Sequence, residues 1–116
     1  MAGIVFYKTT AYKKNIAFYR DMIGMDVWLE QADCTILKHG NFLLGFCRRD
    51  TVDACGIITF FYDEQKEVDR MYARVKERAL HEPQVNEKYN IYHFFIKDPE
   101  NRTVEFQYFL HPVEHV

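Results

Sequence analysis

Phe94-Phe95-Ile96-Lys97-Asp98-Pro99-Glu100-Asn101-Arg102-Thr103-Val104-Glu105-Phe106 reads as strand, turn, strand. The aromatic and β-branched run Tyr89 to Ile96 predicts an extended segment, and Asp98-Pro99 closes it. Proline locks its own φ, while an aspartate side chain accepts from nearby backbone N–H groups. Beyond the turn, Thr103, Glu105 and Gln107 alternate with Val104, Phe106 and Tyr108, so a strand to Phe109 separates a polar face from an apolar one. Upstream lie a weak extended stretch near Val85 to Lys88, the Pro83 break and a charged helix over Glu64 to Ala79. Val68, Met71, Tyr72, Val75 and Ala79 recur there at helical spacing, and Asp63 is the expected N-cap. Gly56 to Tyr62, rich in Ile and Phe, predicts one more strand, so this half reads βαβββ.

The first half has the same order. Gly3 to Lys8 predicts a strand, and the Thr9-Thr10 pair is a candidate helix cap. Tyr12, Ile16, Tyr19 and Ile23 then share one face of a helix that ends at Gly24. Extended pieces follow at Asp26 to Glu30, Thr35 to Lys38 and Phe42 to Arg48, with Gly40-Asn41 as a tight connection. Ile4 matches Ile57 at an offset of about fifty residues, which implies duplication of one supersecondary unit. Residues 1–50 and 54–110 are the expected βαβββ modules of an α+β protein, and no linker separates them, so residues 1–116 are expected to form one domain.

Composition excludes several classes. Fifteen Lys and Arg against 17 Asp and Glu leave a net charge of -2, unlike the basic surface that nucleic-acid binding requires. The apolar runs Phe42 to Cys47 and Gly56 to Tyr62 are too short to cross a bilayer, and Met1 to Tyr7 lacks a basic leader, so no membrane role and a cytoplasmic location are expected. Cys34, Cys47 and Cys55 fit neither a disulfide framework nor a zinc motif and are expected to be reduced. Nineteen aromatic residues are a heavy load for 116 positions, which calls for a large apolar space that is lined or filled.

Asn15-Ile16-Ala17-Phe18-Tyr19-Arg20-Asp21-Met22-Ile23-Gly24-Met25 closely resembles the S-x-x-FY-x-D-x-L-G helix of the vicinal oxygen chelate superfamily, and residues 94–106 resemble its F-x-F-x-DP-[DE]-G-N-x-x-E-[LF] turn and last strand. The superfamily includes glyoxalase I, bleomycin- and fosfomycin-resistance proteins and extradiol dioxygenases. Asn101 stands where the family commonly has glycine, and asparagine tolerates the left-handed conformation. The resemblance implies two βαβββ modules whose mixed sheet curls into a cleft, in a homodimer.

It also implies four metal-ligand positions. These fall on Ile4, the neighbourhood of Leu44 to Phe46, Ile57 and Glu105, of which only Glu105 is a ligand type. The expectation is therefore no metal and no other cofactor, with a divalent ion as the alternative. Glu105 and Gln107 share the face that lines the cleft in the family, and His93 and Phe95 stand in the neighbouring aromatic strand. These four are the candidate ligand-binding residues, with Glu105 and His93 the catalytic candidates. Each has a plain structural alternative: a solvated or Arg-paired Glu105, and a hydrogen-bonded core His93. His39, His81, His111 and His115 are expected to be solvated, as are Lys13-Lys14 and Arg48-Arg49.

Three functions fit. One is a metal-independent protein, resembling bleomycin-resistance proteins, that binds a small organic molecule in an aromatic cleft, Glu105 serving as a negative anchor for planar or cationic ligands. Another is an enzyme, either a metal-dependent lyase or dioxygenase or a metal-free isomerase or hydrolase using Glu105 and His93. The third is a structural or regulatory dimer whose cleft is filled by its own side chains.

Overall fold

The computed structural model describes residues 1–116. The strands are β1 (Ile4–Thr9), β2 (Asp26–Glu30), β3 (Cys34–His39), β4 (Phe42–Arg48), β5 (Ile57–Phe61), β6 (Gln84–Asn86), β7 (Ile91–Lys97) and β8 (Thr103–Phe109). Two helices interrupt them, α1 (Tyr12–Ala17) after β1 and α2 (Gln65–Val75) after β5, so both halves have the expected βαβββ order. The chain divides into two compact units, Met1–Cys55 and Gly56–Val116. Each builds a four-stranded mixed sheet, in the order β1-β4-β3-β2 or β5-β8-β7-β6. The first and last strands of each unit pair in parallel and the rest are antiparallel.

In the first unit the helix extends to Ile23 as the apolar spacing requires, but its second half, Phe18–Ile23, widens into a π-helix. The Gly24 N–H donates to the Tyr19 carbonyl five residues back, at 3.1 Å, and Gly24 closes the helix at φ +96°. Only glycine adopts that value without steric cost. Ile16, Tyr19 and Ile23 are buried, and the Tyr19 ring lies 5.0 Å from Phe46 of β4. The expected cap, Thr9-Thr10, lies just ahead of the N-cap position. The N-cap is Ala11, and the Thr9 hydroxyl instead accepts the Ala11 N–H at 3.2 Å in the preceding turn.

Cys34 and Cys47 are register partners on β3 and β4 and are joined as a disulfide, which corrects the expectation of three reduced thiols. Thirteen residues of separation hide a contact that the β-hairpin creates. Oxidising compartments sustain such bonds, so the cysteines lend no support to a cytoplasmic location. Cys55 remains free and exposed.

In the second unit Val68, Met71 and Val75 of α2 are buried, and the helix packs on β7 and β8. Phe60, Phe94, Ile96, Val104 and Phe106 are buried in the same unit. Phe106 is ringed by Phe94 at 5.2 Å and Phe60 at 5.7 Å. Much of the aromatic load thus goes to core packing. The α2 N-cap is Glu64 rather than Asp63, and the helix stops at Val75 with a short 3-10 turn, Lys76–Arg78, beyond it. Ala79 leaves the helix to bridge Ile96. That bridge replaces the helix's last turn by pairing with β7.

The Asp98 turn forms as its chemistry requires. Asp98 Oδ1 accepts the N–H groups of Glu100 at 2.8 Å and Arg102 at 2.9 Å, and Asn101 adopts φ +65°. No helix is long and apolar enough to cross a membrane.

Candidate functional site

The β7–β8 pair presents His93, Phe95, Glu105 and Gln107 on one face. Side chains alternate along a strand, so these four stand opposite the face where Phe94 and Phe106 meet α2. His93 is paired in register with Gln107 and Phe95 with Glu105. The diagonal between them brings His93 Nδ1 to 2.7 Å from Glu105 Oε2. Parallel pairing sets Thr59 of β5 beside Glu105, and its hydroxyl donates to Glu105 Oε1 at 2.8 Å. Both carboxylate oxygens therefore accept an internal hydrogen bond, and both side chains are enclosed, at 7% exposure for His93 and 11% for Glu105.

These residues border a cavity of about 470 Å³ that lies wholly within the second unit. Its lining includes all four candidates from the sequence together with Ile57, Tyr89 and Phe109. Ile57 and Tyr89 are exposed, so the cavity is open on that side. The Phe95 ring stands edge-on to His93 at 5.1 Å.

Sequence reasoning missed Thr59, Asn86 and Tyr89. Strand alternation could have placed Thr59 on the Glu105 face, whereas the β6 region carries no comparable signal. It also misplaced His81, expected in solvent beyond α2. The Leu80 N–H donates to the Phe95 carbonyl at 2.9 Å, which fixes the chain beside β7. The half-buried His81 ring then packs 6.0 Å from His93 and 5.8 Å from Phe95.

The other histidines, His39, His111 and His115, are exposed. So are Lys13, Lys14, Arg48 and Arg49, although Arg48 lies over the Tyr12 ring at 4.7 Å and Arg49 pairs with Asp33 at 2.8 Å.

The donor set does not fit the superfamily's metal. Ile57 pairs with Thr103, and the β5 residue beside Glu105 is Thr59. Gly45 holds the corresponding place on β4, opposite Phe6. Nowhere do three His, Cys, Asp or Glu side chains converge.

No family model and no curated protein matches the chain, but solved structures do. The lactoylglutathione lyase of Agrobacterium tumefaciens superposes with a TM-score of 0.75 at 21% identity, covering 93% of this chain and 92% of that one. A glyoxalase/bleomycin resistance protein/dioxygenase from Alicyclobacillus acidocaldarius gives 0.78 at 19% identity, over 96% and 92%. The fold is that of the glyoxalase/bleomycin-resistance proteins. An integron cassette protein from the mobile metagenome of Halifax Harbour Sewage Outfall shares this glyoxalase-type fold, with a TM-score of 0.78 at 16% identity over 93% and 97%. The resemblance carried by residues 15–25 and 94–106 thus extends to the architecture of the chain.

Within the glyoxalase-type fold this site holds a buried imidazole–carboxylate pair at the edge of an apolar cavity. Such a pair can fix the imidazole's orientation and offer its other nitrogen to a ligand.

Proposed function

We propose that the protein is a metal-independent binding protein that holds a small, flat organic molecule in the cavity of its second unit and works as a homodimer. The observation that carries this reading is the cavity itself, about 470 Å³ in size, with Phe95, Phe109 and Tyr89 on its walls and the His93–Glu105 pair among them. Ligand sites of this kind are mostly apolar with a few placed polar groups. An open cavity favours a ligand over a cleft filled by its own side chains.

The inward commitments of Glu105 favour binding over metal-assisted chemistry, because its oxygens already serve His93 and Thr59. Native mass spectrometry of protein purified without chelator tests the reading. The expected spectrum contains no stoichiometric transition metal, and an added or co-purified aromatic molecule is retained by the folded chain. One zinc, nickel, iron or manganese per chain would favour a lyase or dioxygenase instead.

A further inference from the structure

We infer that His93 Nε2 is a recognition atom of the cavity and that the ligand is an uncharged flat molecule carrying an O–H or N–H donor, not a cation. The inference rests on the cavity being a ligand site and adds the chemistry of what it selects.

Glu105 was the expected negative anchor, but each of its oxygens already accepts a hydrogen bond, from Thr59 and from His93. A cation entering the cavity would have to share those oxygens with donors that hold them at 2.8 Å and 2.7 Å. It would also shed its own hydration among apolar walls, which is costly.

The contact with Glu105 sets what His93 presents when the carboxylate is ionised and the ring neutral. An ionised carboxylate only accepts, so Nδ1 is the ring's donor, and in neutral imidazole the other nitrogen is then an acceptor. Nε2 has no hydrogen-bond partner and is not sealed from solvent. The ring borders the cavity and is braced edge-on by Phe95 and His81. A braced, unpartnered acceptor in an apolar recess selects a complementary donor, because any polar group buried without a partner is penalised. The flat aromatic and aliphatic walls, with the Gln107 and Asn86 amides among them, choose the rest of the ligand.

Three probes of one ring system separate the possibilities by isothermal titration calorimetry on the full chain: naphthol, its methyl ether, and naphthylmethylammonium. The expected order places naphthol about tenfold tighter than the ether, the scale of one hydrogen bond in a water-poor site, with the ammonium weakest. His93→Phe keeps a flat ring and removes the acceptor, so naphthol and the ether should bind that variant equally. Equal binding of the two to the unaltered protein overturns the donor inference while leaving the cavity reading standing. Tighter binding of the ether would make Nε2 a donor and overturn it, as would tightest binding of the ammonium. Binding of none of the three removes the cavity reading and this inference together. If His93→Phe does not fold, the comparison on the unaltered protein still decides.

Discussion

Arg102 is only 1% exposed, and its guanidinium is held by Asp98 Oδ2 at 3.1 Å and Glu100 Oε1 at 3.0 Å. Taking one partner from a buried ion pair leaves the other charged and desolvated, which costs more than the pair contributed. Arg102→Ala should therefore lower stability by about 3 kcal/mol in urea denaturation, and a loss below about 1 kcal/mol would show the carboxylates regaining water. The turn around it was legible because its causes are local: proline's φ, aspartate's acceptor oxygens and asparagine's tolerance of φ +65° act within five residues. Arg102 was not. Its partners are neighbours in the chain, but its burial depends on where the rest of the second unit falls.

The β1–β4 pair contains a close approach that only the folded strands reveal. A Cβ added at Gly45 would lie 2.4 Å from the Phe6 ring, so the absent side chain at Gly45 makes room for Phe6 in the parallel register. Gly45→Ala should destabilise by about 1 kcal/mol, at the low end of overpacking because the exposed Phe6 ring can turn outward. Phe6→Ala in the same chain should recover most of that loss, and an additive double-mutant cycle would separate the two positions. In the second unit, Tyr62 follows β5 and has its phenol pushed up from 10.0 to about 12, chiefly by burial and then by Glu67. The folded state favours the protonated phenol, so this contribution is complete below pH 10 and is lost as pH rises toward 12, where the unfolded chain ionises first. Tyr62→Phe should flatten the fall in stability over that window, measured by urea midpoints at stepped pH. An unchanged slope would mean that other groups set the alkaline limit.

At the scale of the whole molecule, the edge strands of the first sheet leave apolar side chains in water. Val27, Trp28 and Leu29 on β2 are all exposed, and a register irregularity between Val27 and Leu29 interrupts the strand's alternation. Ile4, Val5 and Phe6 on β1 are exposed as well. Open apolar edges are surfaces that chains cover by pairing. Sedimentation at micromolar concentration should give twice the 13.9 kDa chain mass. A monomer across that range would remove the homodimer from the proposed function.

The sequence by itself determined the βαβββ repeat, its helix faces and the Asp98 turn, because periodicity and turn chemistry are properties of neighbouring residues. Alternation also placed Glu105 and Gln107 on one face, and the family resemblance marked that face as the one lining a cleft. Tertiary structure alone decided what the candidate side chains do to one another. Register fixed the diagonal from His93 to Glu105, the parallel neighbour Thr59 and the disulfide partner of Cys34. These contacts join residues 12, 46 and 13 positions apart, and pairing geometry, not local preference, selects them.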